Sequence, residues 1–210
     1  MNWKHCLGLA LAVFLSGCAS PQLRYYSLAG ASTAARVIPE ALAPAGYELS
    51  LRVSRIPAEA DRIQLVVVDP ARAPAVQVLN DSLWVAPLRD QLQSQLGTEV
   101  AQRLRVPRRI GSSVAAGGLP TRDIVVQVTR FGLVWGSAAW LNATWTDRVP
   151  GTRGVKVCQA SLSRPAGASV SSLVQAQQHL VSQLARLIAQ PAAGASEAAA
   201  PNIVSKGCTF

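Results

Sequence analysis

Hydrophobic and polar positions alternate through several separate stretches of this chain. In 48–56, Leu49, Leu51 and Val53 are interleaved with polar residues, the two-residue period of a half-buried strand. Residues 62–69 carry the β-branched run Leu65-Val66-Val67-Val68, apolar towards both faces, which predicts a central strand. A short strand is expected over 75–79, after a loop with Pro70 and Pro74. Alternation returns at 123–131, at 137–146 and at 155–162, with Gly132–Gly136 suited to a hairpin connection between the first two.

Two stretches follow the helical period instead. Trp84, Leu88, Leu92, Leu96, Val100 and Leu104 lie four residues apart, a single oblique ridge suited to a helix laid over a twisted sheet. Asp81 and Ser82 offer N-cap chemistry for that helix, although Pro87 marks a later first turn if 83–86 form a turn of their own. The second helix is predicted over 170–189, from apolar residues at 170, 173, 174, 180, 181, 184, 187 and 188. Arg24-Tyr25-Tyr26-Ser27-Leu28 reads as a short β-like segment, and 30–46 as an Ala/Pro/Gly-rich loop. The expectation is therefore one α+β domain over 24–190. Its mostly antiparallel sheet has about five to six strands, with two long helices packed on one side.

The start of the chain changes this picture. Lys4 precedes an apolar run from Leu7 to Leu15, which is short of the roughly 20 residues a membrane-spanning helix needs. The plan is that of a secretory signal, with small residues before the cleavage point. Leu15-Ser16-Gly17-Cys18 resembles the lipobox of bacterial lipoproteins. That resemblance implies cleavage between Gly17 and Cys18, acylation of Cys18, a signal peptide over 1–17 and a short tether over 18–23. Alternatives are an ordinary signal with Cys18 in the mature chain, or an uncleaved start packed into the domain. Residues 19 and 20 are Ala and Ser, not Asp, which by resemblance to enterobacterial lipoproteins implies export to the outer membrane, facing the periplasm.

Charge and cysteines are read in that light. The net charge of +9 would suggest nucleic acid for an intracellular chain. For an exported one it points to anionic headgroups, acidic envelope polymers or an acidic protein face. Of four cysteines, Cys6 leaves with the signal and Cys18 takes lipid, so Cys158 and Cys208 remain. In an oxidising compartment a Cys158–Cys208 disulfide is expected, pinning the Ala/Pro/Gly-rich tail over 191–210 onto the domain; two unpaired thiols are the alternative.

Enzyme signatures are missing from the sequence: there is no metal-spaced cluster, no nucleophile elbow and no phosphate loop. His179 lies off the apolar stripe and reads as a solvated histidine. No catalysis, cofactor or metal is expected. Two stretches stand out as docking candidates. One is the charged turn at Asp61-Arg62, where a local strand-end pair is the more ordinary reading of exposed charges. The other is Trp84 with Pro87-Leu88, where Trp is more often a core anchor.

These stretches also carry a family resemblance. Tyr25-Tyr26-Ser27-Leu28 is similar to the Tyr-Tyr-x-Leu opening of the PqiC family, the ABC-type transport auxiliary lipoproteins of MCE-protein lipid transport systems. Ile56-Pro57 with Asp61-Arg62-x-Gln64-Leu65-Val66 resembles its Pro…Asp-Arg-x-Gln block. Trp84…Pro87-Leu88 resembles its Trp-Ala-Glu-Pro-Leu helix start, and Val126-x-Val128-x-Arg130-Phe131 its later strand. The chain departs from the pattern at Ala86, where the family usually has Glu, and at Glu59-Ala60, where an aromatic is common. The resemblance implies a non-enzymatic outer-membrane lipoprotein that docks a periplasmic MCE-protein conduit and its inner-membrane partners, moves phospholipid and supports membrane integrity. It leaves room for a homo-oligomeric collar. An alternative is a monomeric lipid or lipopolysaccharide carrier with its own apolar cavity. A third is an envelope hydrolase with a buried Ser or carboxylate pair.

Overall fold

The computed structural model describes residues 22–30, 46–109, 118–190 and 203–209. The signal segment with Gly17 and Cys18, most of the 30–46 loop and residues 191–202 lie outside the described residues. The strands are β1 (Arg24–Tyr26), β2 (Glu48–Arg55), β3 (Gln64–Val68), β4 (Val76–Trp84), β5 (Thr121–Val134), β6 (Ala138–Arg148), β7 (Lys156–Pro165) and β8 (Ile203–Thr209). The helices are α1 (Leu88–Leu104), between β4 and β5, and α2 (Val170–Ala189), between β7 and β8. The fold is α+β, a mixed but mostly antiparallel eight-stranded sheet with two helices packed against it.

The sheet runs β1-β4-β3-β5-β6-β7-β8, with β2 also on β5. The strand count exceeds the expected five or six because both terminal segments join the sheet. β1 adds in parallel to β4, and β8 adds antiparallel to β7. The stretch read as a tail thus contributes a strand at 203–209. Cys158 and Cys208 sit directly opposite each other in the β7–β8 register and are joined as a disulfide.

Each element has a local cause. β4 is longer than expected and contains Asp81 and Ser82, so these residues do not cap α1. The strand persists because the Trp84 N–H donates to the Ile63 carbonyl at 2.7 Å. Pro87 then holds the residue before it out of helical geometry, and the helix begins at Leu88. Leu88, Leu92, Leu96 and Val100 of α1 are buried in the core. The helix ends at Arg105 in the left-handed region (φ 56°), whose N–H returns to the Ala101 and Gln102 carbonyls. α2 occupies its predicted bounds. The Ser169 hydroxyl accepts the Ser172 N–H at 3.1 Å, and the Ser172 hydroxyl accepts the Gly167 N–H at 2.8 Å.

One continuous core joins the helices to a single face of the sheet, including Leu51, Val126, Leu141 and Leu162 from the strands. Gly97 of α1 has no Cβ to spare, because the Arg108 guanidinium lies where one would stand. There Arg108 donates to the Gln93 and Ser94 carbonyls and to Thr98, and burial pushes its pKa below the usual guanidinium value.

At the β5–β6 end, Arg122 and Asp147 form a buried fork, Nε to Oδ1 at 2.9 Å and Nη2 to Oδ2 at 2.6 Å. Burial alone would lower the Arg122 pKa, but the hydrogen bonds and charge of Asp147, aided by the Tyr47 hydroxyl, outweigh it and raise the value. Removing one partner strands the other charge in the interior. Asp147→Ala should therefore cost about 3–5 kcal/mol in urea unfolding. Cys208→Ser should cost about 2–4 kcal/mol and raise amide exchange along β7 and β8 while leaving α1 protected.

Candidate docking cleft

The long strand β5 pairs with β6 along one edge from Asp123 to Val134, absorbing Thr129 as an extra residue. Its other edge is shared. β2 runs parallel to β5 from Glu48↔Thr121 to Arg55↔Gln127. β3 meets β5 through Val68↔Val134, reinforced by the Trp135 N–H on the Val68 carbonyl at 2.8 Å. Between these contacts, residues 128–133 have no ladder partner on that edge. Six residues span roughly 20 Å at strand rise.

The gap exists because the chain leaves β2, turns through Pro57–Arg62, and returns as β3 committed to β4. The turn is closed by N–H donation from Ala60 and Asp61 to the Pro57 carbonyl. A cleft of about 170 Å³ opens where β3 and β5 diverge. Val66, Val68, Val76, Leu133 and Val134 give it apolar walls, Trp84 and Phe131 lie at its base, and Glu59 and Arg130 bring opposite charges to it. Trp84 and Phe131 meet edge to face, centroids 6.0 Å apart and planes at 73°. Arg130 lies 4.4 Å over the Trp140 ring, a cation–π contact. Gly132 is directly opposite Trp140, and a Cβ there would stand 3.7 Å from the Arg130 Nε, in ordinary van der Waals contact.

The sequence-derived candidates divide here. Asp61 and Arg62 are both exposed on the turn beside the cleft. Asp61 Oδ2 accepts from Arg89 Nη2 at 2.7 Å across to the first turn of α1. Both side chains are more than two-fifths exposed, so this pair contributes about 0.2–1 kcal/mol. Trp84 is 2% exposed and closes the end of β4 rather than opening the helix, so it supports the cleft from beneath. His179 is exposed on α2. Among the described residues, no group of acidic, histidine or cysteine side chains could hold a metal ion.

Arg130, Gly132 and Val134 were not singled out as site residues by the sequence. The available signal was the glycine facing a tryptophan, which is visible only once the β5–β6 register is known. The buried polar residues Glu48, Arg122, Asp147 and Gln177 were also missed. Gln177 donates to the Gly132 and Trp140 carbonyls at 3.0 Å each, tying α2 to the strands behind the cleft.

A family model described as "ABC-type transport auxiliary lipoprotein component" matches residues 26–189. The chain belongs to that family. The auxiliary lipoprotein also resembles two solved structures. One is an uncharacterized protein, 16% identical, with a TM-score of 0.62, covering 80% of this chain and 97% of the other. The second is protein XCC0632 from Xanthomonas campestris, of the family model DUF330, 12% identical with a TM-score of 0.52, covering 68% and 81%. At these identities the structures report on fold alone. No curated protein matches the chain in sequence. The matched region takes in the whole cleft and both helices, and the family is one of lipid-anchored transport components.

The buried and exposed members of the site should separate in the auxiliary lipoprotein. Trp84→Ala is expected to cost about 3–5 kcal/mol through the cavity it leaves, measured by chemical unfolding. Arg62→Ala should stay within about 0.5 kcal/mol of the parent.

Proposed function

We propose that this auxiliary lipoprotein is a PqiC-like docking component of an envelope lipid transport system. Acyl chains on Cys18 hold it at the inner face of the outer membrane, and the domain receives the tip of a periplasmic MCE-protein conduit. The observation that carries the proposal is the interrupted β5 edge, an apolar cleft beside the exposed turn at Asp61-Arg62. An unpaired strand edge with apolar walls and mixed charge fits a protein segment, which supplies backbone hydrogen bonds as well as side chains.

The contribution is mechanical rather than catalytic. Exposing an acyl chain to water costs about 0.8 kcal/mol per CH₂, so phospholipid passes between membranes only through a sealed path. A lipoprotein fixed at one end of that path keeps the conduit's mouth against the bilayer. The cleft does not itself suit a carrier. Its volume of about 170 Å³ falls short of the roughly 300–1,000 Å³ of pockets that enclose a small ligand.

Crosslinking in the native envelope followed by purification should bring down an MCE-domain protein. Asp61→Ala and Arg62→Ala should each lower that capture several-fold with the thermal midpoint nearly unchanged. Parallel loss of capture and stability would remove the turn from the interface. Cys18→Ser should abolish palmitate labelling and transport together, and intact transport would overturn the anchored role.

A further inference from the structure

Several of the large apolar side chains left exposed gather at one corner of the sheet. Leu23, Tyr25, Ile63 and Val85 are 54%, 60%, 49% and 57% exposed. Tyr25 lies opposite Leu83 and Tyr26 opposite Trp84. The Val85 N–H donates to the Tyr26 carbonyl at 2.9 Å, and the Trp84 N–H donates to the Ile63 carbonyl. Trp84 is directed into the core, so Leu83 and Val85 face the other way, with Tyr25 and Leu23 alongside. Arg24 is exposed at the same corner.

We infer that this corner is a seat on the membrane, resting in the headgroup region of an anionic phospholipid bilayer. The inference rests on the acyl anchor at Cys18 proposed above. Leu23 follows Cys18 by five residues. An extended chain gains at most about 3.6 Å per residue, which keeps Leu23 within about 18 Å of the anchored cysteine. The chemistry matches as well. Tyrosine presents an apolar ring with a polar tip at the interface, and each arginine near an anionic surface adds roughly 1 kcal/mol of attraction.

The seat is firmly joined to the domain. Leu28 is buried, its N–H donates to Gln91 Oε1 of α1 at 3.0 Å, and Gln178 Nε2 of α2 donates to the Ser27 carbonyl at 2.8 Å. Contact at Tyr25 therefore fixes the orientation of the whole domain and brings the adjacent Asp61-Arg62 turn to headgroup level.

The test uses the full lipidated chain with the photoreactive residue p-benzoylphenylalanine in place of Tyr25, in vesicles of phosphatidylethanolamine and phosphatidylglycerol. Intact mass after irradiation should show phospholipid adducts roughly tenfold above the same probe at Val157, because insertion falls off sharply away from the interface. Val157 is 40% exposed on β7, five strand positions from β1, or about 24 Å away. Leu23→Ser should lower the Tyr25 adduct several-fold at an unchanged thermal midpoint. Equal adducts at both probes, or none at Tyr25 on a chain whose Cys18 is acylated, would overturn the seat and leave the anchor standing. Replacement of the lipid adduct by an MCE-protein adduct when that protein is included would assign the corner to a protein interface instead. A chain with no acyl mass on Cys18 would overturn anchor and seat together.

Discussion

The structure depends on β5 having different neighbours along one edge. β2 takes its first half, β3 touches it at Val134, and the edge between them is left without a strand. Here the divergence produces a cleft, and Trp84 and Phe131 below it keep the opening from collapsing into the core. Edge strands are usually protected against unwanted pairing. Here the protection is partial: Thr129 bulges the strand, and Arg130 folds over Trp140 instead of extending into solvent.

The two faces of the sheet have separate tasks. The helix-covered face holds the apolar core, and its polar exceptions are almost all paired internally, as in the Arg122–Asp147 fork. The opposite face carries Tyr25, Leu83, Val66 and Val134 with no helix over them among the described residues. A family of anchored transport components has use for such a face.

Much of the fold could be read from residue order, and the failures have physical reasons. α2 lies within its predicted bounds because its apolar stripe is wide and its end is marked by the Ala/Pro-rich sequence beyond Gln190. Asp81 and Ser82 misled because a capping pair before an apolar ladder looks the same whether the chain is helical or extended. Pro87 decided the matter locally, and the ladder to β1 and β3 decided it globally. β8 escaped notice because seven residues after an Ala/Pro/Gly run carry too little pattern of their own; their order comes from β7 and the link at Cys158. The cleft was invisible for a deeper reason. It is a gap between non-local strands, set by where β3 and β2 happen to end against β5, and no periodicity encodes that.

The Cys158–Cys208 link has a topological consequence. It closes a covalent ring whose members are 50 positions apart, and α2 lies wholly within it. The ring keeps both ends of the segment that carries α2 tied to β7 even when its packing is lost, whereas β1, held by three ladder positions, lies outside the ring. Force applied from the N-terminal side of the domain enters at β1. Under load the molecule would unravel from that end first, and the ringed half, with α2 and β7, would be the last to yield.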